Sequence, residues 1–175
     1  AFGLRYLQAN LGDLKTRSQI QEFSIKEQPL EIVEQILAAD PKIVGLGVYI
    51  WNVTEITAVV SLLKVLRPEI VVVLGGPEIS HEYESQAVFA MADHIVTGEG
   101  EDAFASLCAK LLAGAPAPRV VVGQLPDVTR MVMPYELYTD EDIANRVIYV
   151  EASRGCPFRC EFCLSSLDQK VRAFP

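Results

Sequence analysis

Three short strand-like stretches, each followed by a segment with helical spacing, dominate the hydrophobic pattern of the chain. The runs at 43–50, 70–74 and 94–97 are too short for ordinary helices and end at turn residues, as strands buried on both faces do. The clearest helical stripe follows the first run and consists of Ile56, Val59, Val60, Leu63 and Leu66. The alternation predicts a doubly wound α/β domain with a parallel sheet over residues 1–114.

The first forty residues predict a helix, a strand and a second helix. Leucines at helical spacing indicate a helix that ends at Gly12. The stretch 18–25 alternates only roughly and is interpreted as a short strand. Pro29 stands at the first position of the next helix, and Asp40-Pro41 ends that helix.

Two further local predictions concern helix ends. Asn52 is expected to cap the helix after the first apolar run, with Glu55 as its reciprocal partner. A single helix is expected from Ser80 or His81 to about Met91.

Beyond residue 114 the pattern weakens. Residues 115–146 are interpreted as a linker that carries an edge strand at 119–123, and 147–152 as a buried strand. That strand would begin a second domain, of which 147–175 is the first part. A doubly wound sheet in the order 2-1-3-4-5 also predicts one more strand before Ala1.

Composition narrows the function classes. Half of the residues are hydrophobic, and 15 Lys and Arg against 23 Asp and Glu give a net charge of −8 without a basic stripe, so no nucleic-acid partner is expected. The longest apolar run, 43–51, is far shorter than the roughly 20 residues of a membrane helix. With no signal pattern and no disulfide framework, we expect a cytoplasmic protein. Its oligomeric state stays open.

Three of the four cysteines fall in the pattern C-x3-C-x2-C, at Cys156, Cys160 and Cys163. Three thiolates on one loop can hold one face of a metal centre. Iron-sulfur clusters and structural zinc normally take four protein ligands, so such a site leaves one coordination position open for chemistry. The alternatives are a structural zinc site completed by His81 or His94, and three unrelated thiols.

The fourth cysteine, Cys108, belongs to the apolar stripe of a helix and is interpreted as a core residue.

Ligands of open α/β sheets bind beyond the carboxyl ends of the strands. Those ends carry Tyr49-Ile-Trp-Asn52, Gly75-Gly-Pro77 and Gly98-Glu-Gly-Glu101. Glycines there allow a ligand to approach the backbone, although close strand-to-helix packing explains them equally well. Trp51 is interpreted as a rim aromatic or as a stacking platform.

The cysteine pattern, with Phe162 before its last member, resembles the signature of the radical S-adenosylmethionine (radical SAM) enzymes. The preceding elements resemble the flavodoxin-like or Rossmann-like cobalamin-binding domain of the cobalamin-dependent members. The resemblance implies that Cys156, Cys160 and Cys163 hold a 4Fe-4S cluster whose fourth iron binds S-adenosylmethionine, with Phe162 beside the adenine. Residues 147–175 would then begin the radical SAM barrel.

The same resemblance implies cobalamin-binding residues at the three turns. Gly75, Gly76 and Pro77 would line the slot for the nucleotide tail. Tyr49, Trp51 and Asn52 would face the corrin ring, and Gly98, Glu99 and Gly100 would form the third turn. The Asp-x-His-x-x-Gly motif that supplies a cobalt-ligating histidine in other cobalamin domains is absent from this sequence, so no histidine ligand is expected.

The resemblance therefore implies an enzyme, with methyl transfer among its activities and an unknown substrate bound mainly by the barrel. This piece alone is expected to be inactive. One alternative is a flavodoxin-like module that binds a ligand or a partner protein and carries a zinc-stabilised tail. Another is a radical enzyme without cobalamin whose front domain is a vestigial scaffold.

Overall fold

The structure is a computed structural model of the chain and describes residues 1–168 and 170–175. A parallel sheet of four strands lies at its centre, in the order β1-β2-β3-β4. The strands are β1 (Ile43–Gly47), β2 (Val71–Gly75), β3 (His94–Thr97) and β4 (Val120–Val122). The predicted parallel α/β fold is confirmed, as is the edge strand after residue 118.

Seven α-helices are described: α1 (Phe2–Ala9), α2 (Pro29–Ala38), α3 (Val53–Leu66), α4 (Pro77–Ser80), α5 (Ala87–Met91), α6 (Glu101–Leu112) and α7 (Asp140–Asn145). Short 3₁₀ helices occupy Gly12–Arg17, Tyr83–Ser85, Tyr135–Leu137 and Leu164–Leu167. Two antiparallel strands of two residues each, β5 (Ser153–Arg154) and β6 (Arg172–Ala173), form a hairpin near the end of the described chain.

Both faces of the sheet are covered, as a doubly wound fold requires. Val72 and Leu74 pack into the larger core cluster with α2, α3 and α5, while Val73 points to the other face and packs with Leu107 of α6. Alternation along β2 explains the two faces, because successive side chains of a strand point in opposite directions. Removal of this apolar surface from water is the main stabilising contribution to the domain.

The prediction of a strand at 18–25 is wrong. The segment is extended from Ser18 but forms no strand, and its side chains explain the rough alternation. Phe23 packs against the larger core cluster, and the carboxylate of Glu22 binds Arg5 and Arg146. The segment is held by side chains and not by a ladder of backbone hydrogen bonds.

The prediction of one helix from residue 80 to 91 is also wrong. Helix α4 ends at Ser80, His81 is extended, and Glu82 adopts a left-handed conformation with φ of 50°. Left-handed backbone interrupts a right-handed helix, so a second helix, α5, starts only at Ala87.

The predicted buried strand at 147–152 is absent from the described structure. Val147 and Val150 are 78% and 77% exposed, and no described segment pairs with them. A strand exists only through its hydrogen-bonded neighbour, and the hairpin that follows begins later, at Ser153.

Strand β1 pairs only with β2 among the described residues, so its other edge has no strand partner there. The additional strand expected before Ala1 stays a prediction. Within the described ranges, no helix combines the length and the apolar character needed to cross a membrane.

Candidate functional site

The three predicted turns lie at the same edge of the sheet, because parallel strands end there together. The turn after β1 spans 48–52, the turn after β2 spans 75–77, and the turn after β3 spans 98–100. The nine residues placed at this carboxyl edge are Tyr49, Trp51, Asn52, Gly75, Gly76, Pro77, Gly98, Glu99 and Gly100.

An aromatic pair forms the first turn. The rings of Tyr49 and Trp51 stack at 4.6 Å with an angle of 13° between their planes, and Trp51 is 64% exposed. Tyr49 lies back over the end of β1, since a Cβ on Gly47 would come within 3.3 Å of its ring. Burial raises the pKa of Tyr49, so its phenol stays neutral at physiological pH. The pair offers a flat apolar surface beside the sheet edge.

Asn52 closes this turn instead of capping α3 with its side chain. Its Oδ1 accepts a hydrogen bond from the Tyr49 backbone N–H at 2.7 Å, and its Nδ2 donates to the Gly47 carbonyl at 3.0 Å. Asn52 occupies the N-cap position of α3, as predicted, but its side chain does not cap the helix, so the predicted reciprocal pair with Glu55 is wrong. Asn side chains commonly close turns in this way.

The two glycines after β2 have different structural roles. Gly76 has φ of 107°, and a Cβ there would lie 2.5 Å from the carbonyl oxygen of Val48. Gly76 is thus required for close packing of two turns, whatever else binds there. A Cβ on Gly75 would meet the carbonyl of Val96 at 3.6 Å, which is ordinary contact. Gly75 is therefore the better position at which to test a ligand.

Ser80, which was not among the predicted site residues, connects the second and third turns. Its hydroxyl lies between the carbonyl of Gly76 and the backbone N–H of Gly98. Pro77 stands at the first position of α4, where its missing N–H costs nothing. A serine four residues after the glycine is the one local signal that sequence reasoning could have used.

The third turn packs tightly against the chain that follows β4. Gly98 has φ of 71°, and a Cβ there would approach the carbonyl of Gly123 at 3.2 Å. Gly100 lies against α1, since its Cβ would be 3.4 Å from Leu7. The carboxylates of Glu99 and Glu101 both bind Arg154, a contact that links this turn to the segment before the cysteines and that sequence reasoning missed.

The two histidines lie at opposite edges of the sheet. His94 begins β3 at the amino edge, and its Nδ1 is hydrogen-bonded to the carbonyl of Pro118 at 2.8 Å. His81 directly follows α4 at the carboxyl edge. His94 is thereby removed from the predicted site, while His81 remains near it.

The three clustered cysteines are free thiols, but the structure does not gather them. Cys160 is exposed, and Cys156 and Cys163 are partly buried. Within residues 1–168 and 170–175, no three side chains of His, Cys, Asp or Glu come together as a set that could hold a metal ion. The three thiols are therefore not arranged as metal ligands in this conformation. Phe162 is 94% exposed.

Cys108 is separate from that group and lies buried in α6, as predicted. Burial raises the pKa of its thiol to about 11, which keeps it protonated and unreactive at neutral pH.

The carboxyl edge fits a large flat ring chemically, because it combines an exposed aromatic pair with a turn that has no side chain at Gly75. One pocket of about 280 Å³ adjoins the start of α3, and another of about 250 Å³ lies between α6 and β4. Neither is lined by a residue of the three turns.

Comparison with known proteins assigns this domain. The model of the B12 binding domain family matches residues 1–108, which is more than half of the chain. The match includes α1 to α5, β1 to β3 and the three turns described above.

Sequence similarity to curated relatives extends over more of the chain than the B12-binding match does. The chain is 29% identical to 2-(S-pantetheinyl)-carbapenam-3-carboxylate methyltransferase of Streptantibioticus cattleyicolor, over 78% of this chain and 24% of that protein. It is 30% identical to the cobalamin-dependent radical SAM methyltransferase TokK of Streptomyces tokunonensis, over 71% of this chain and 22% of TokK. It is 27% identical to the anaerobic magnesium-protoporphyrin IX monomethyl ester cyclase of Rubrivivax gelatinosus, over 76% and 28%.

The chain spans about a quarter of the length of these relatives. They include methyltransferases, one of which is a cobalamin-dependent radical SAM enzyme. On the match over residues 1–108, the chain belongs to the B12-binding domain family.

Proposed function

We propose that the complete protein is a cobalamin-dependent radical SAM enzyme whose reaction is methyl transfer. The observation that carries the proposal is the occurrence, in one chain, of the B12-binding match over 1–108 and the C-x3-C-x2-C pattern at 156–163. Similarity to a cobalamin-dependent radical SAM methyltransferase over 71% of this chain supports it.

In this proposal cobalamin binds at the carboxyl edge of the sheet. Gly75 and its neighbours would contact the nucleotide tail, and the stacked Tyr49 and Trp51 would offer an apolar surface to the corrin ring. Bound cobalamin supplies cobalt-centred methyl-group chemistry. His94 lies at the other edge of the sheet, which supports cobalt without a ligand from that residue; we extend the same assignment to His81.

We assign Cys156, Cys160 and Cys163 as ligands of a 4Fe-4S cluster that binds S-adenosylmethionine, and Phe162 as a neighbour of the adenine. Because the structure does not bring the thiols together, this assignment rests on their spacing and on their state as free thiols. Free clustered thiols also support a reducing compartment, the cytoplasm, as the place of action.

Methyl transfer is the most specific part of the proposal. Two of the relatives described above are named as methyltransferases and the third as a cyclase, so the shared sequence accommodates more than one reaction. The substrate-binding residues are proposed to lie in the part of the protein that corresponds to the remaining length of these relatives.

The proposal is tested with the full-length protein, reconstituted anaerobically with iron, sulfide and hydroxocobalamin. With a reductant, it should cleave S-adenosylmethionine to 5'-deoxyadenosine, and the Cys156→Ala, Cys160→Ala, Cys163→Ala variant should not. One zinc per chain, with no iron bound and no cleavage, would overturn the proposal in favour of a binding module with a structural tail.

A further inference from the structure

Two arginines of the hairpin formed by β5 and β6 bind carboxylates at the third turn and at the start of α6. Arg154 binds Glu99 through Nη1 and Glu101 through Nη2, each at 2.6 Å. Arg172 also binds Glu99, and it binds Asp168 at 2.9 Å. Glu99 is thus shared by both strands of the hairpin, β5 and β6.

The contact between Arg154 and Glu101 is buried and not a surface ion pair. Glu101 is 6% exposed, and the side chain of Arg154 is 12% exposed. Burial alone lowers the pKa of Arg154, but the hydrogen bonds that its guanidinium donates to Glu101 and Glu99 outweigh burial and raise that pKa, so the guanidinium stays charged. A buried charge that loses its partner is strongly unfavourable, which makes these carboxylates necessary where Arg154 lies.

An arginine suits this place better than a lysine. The guanidinium lies 4.8 Å from the ring centre of Tyr6 in α1 and 5.9 Å from that of Phe174, while its two terminal nitrogens reach two different carboxylates. Stacking on rings combined with forked hydrogen bonding needs a planar group with several donors.

The position of Arg154 determines where the cysteine loop, residues 155–168, begins. Gly155 follows with φ of 84°, and a Cβ there would lie 2.3 Å from the carbonyl of Lys170. The N–H of Cys156 then donates to the carbonyl of Asp168 at 2.8 Å. The segment from Cys156 to Asp168 is therefore held at both of its ends. Arg154, just before the segment, binds Glu99, and Asp168 at its other end binds Arg172, which also binds Glu99.

We propose that Glu99 and Glu101 form a docking site that positions the cysteine loop at the carboxyl edge of the B12-binding domain, with Arg154 as the positioning residue. The role of the loop as a metal site rests on the proposed function, whereas the docking contact does not. In this proposal residues 98–101 position the cysteine loop in addition to any contact with a cofactor.

The test uses the full-length protein without cobalamin or iron, so that its outcome is independent of the proposed function. Backbone hydrogen exchange is measured by mass spectrometry for Arg154→Met, Arg154→Lys and Glu101→Gln. We expect exchange in 155–168 to accelerate about tenfold or more in Arg154→Met and Glu101→Gln. Both substitutions remove the contact between Arg154 and Glu101, so the loop should open locally more often. Arg154→Lys keeps the charge and should restore part of the protection.

The matched control is Glu69→Gln, which removes a carboxylate from the exposed pair with Arg67 and should leave exchange in 155–168 unchanged. Exchange in β2 should stay at the parent rate in all four variants. Unchanged exchange in 155–168, equal acceleration in β2 and the loop, or no difference between the Lys and Met variants would each overturn the proposal.

Discussion

Ser80 accepts a hydrogen bond from the backbone N–H of Gly98 at 3.1 Å, while its own hydroxyl donates to the carbonyl oxygen of Gly76 at 3.0 Å. One side chain thus ties the turn after β2 to the turn after β3 at the carboxyl edge. The two turns are not close in sequence, so their relative position depends on this hydroxyl and on strand pairing.

Ser80→Ala removes both hydrogen bonds and should lower the free energy of unfolding by about 1–2 kcal/mol, since each hydrogen bond contributes roughly 0.5–1.5 kcal/mol. Urea unfolding measures the change. Ser85→Ala is the matched control, because that hydroxyl donates to the Glu82 carbonyl within one exposed turn, and a loss below about 0.5 kcal/mol is expected there. Equal losses in the two variants would contradict the bridging role.

Gly76→Ala should destabilise the domain by more than about 2 kcal/mol, because it combines an unfavourable φ with a clash against the Val48 carbonyl. Gly12→Ala provides the comparison. Gly12 also has a positive φ, of 57°, but no heavy atom lies within 4 Å of its added Cβ, so a loss of about 1 kcal/mol is expected. If thermal or urea unfolding gives equal losses, the close approach to Val48 is not what selects glycine.

Apolar periodicity predicted those buried strands and helices that pack against elements adjacent in the sequence. Strands β1 and β2 are almost entirely apolar, and α3 between them carries a matching stripe, so sequence and packing agree there. The positions of the three turns follow directly from strands β1, β2 and β3.

The remaining features depend on contacts between distant residues, which local periodicity does not contain. Phe23 and Val150 both lie in stretches that predicted strands, but one packs as a side chain against the core and the other is exposed without a partner strand in the described ranges. The contact of Arg154 with Glu101 joins residues 53 positions apart. No spacing rule identifies such a pair.

Cys108→Ala should make stability less sensitive to alkaline pH. Burial raises the pKa of this thiol from about 9 to about 11, so the unfolded chain releases its proton before the folded chain does. The stability that the neutral thiol contributes is complete below pH 9 and is lost as the pH rises through 11. Urea unfolding at pH 8 and at pH 10.5 should show a smaller decrease for Cys108→Ala than for the parent protein.

The same burial separates Cys108 from the other thiols. In the parent protein, iodoacetamide at pH 8 should leave Cys108 unmodified while it alkylates the exposed Cys160. Rapid modification of Cys108 in the folded protein would contradict its buried position in α6.

The clustered cysteines should account for all bound iron. After anaerobic reconstitution of the full-length protein, the Cys156→Ala, Cys160→Ala, Cys163→Ala variant should lose its iron, because the proposed ligands are gone. Cys108→Ala should retain the iron of the parent, since its thiol lies in α6. If the triple variant keeps the iron of the parent, the metal ligands are elsewhere.

The most direct test of the account is titration of the full-length protein with hydroxocobalamin, followed by absorbance, for the parent and for Gly75→Val. The family match over residues 1–108 predicts saturable binding of one cobalamin per chain. A Cβ at Gly75 would meet only an ordinary contact, 3.6 Å from the Val96 carbonyl oxygen, so a substitution there tests the ligand site and not the fold. Gly75→Val should weaken that binding by about tenfold or more while the free energy of unfolding stays near the parent value. Absence of saturable binding in the parent, or equal affinity in a folded Gly75→Val variant, would contradict cobalamin binding at this edge of the sheet.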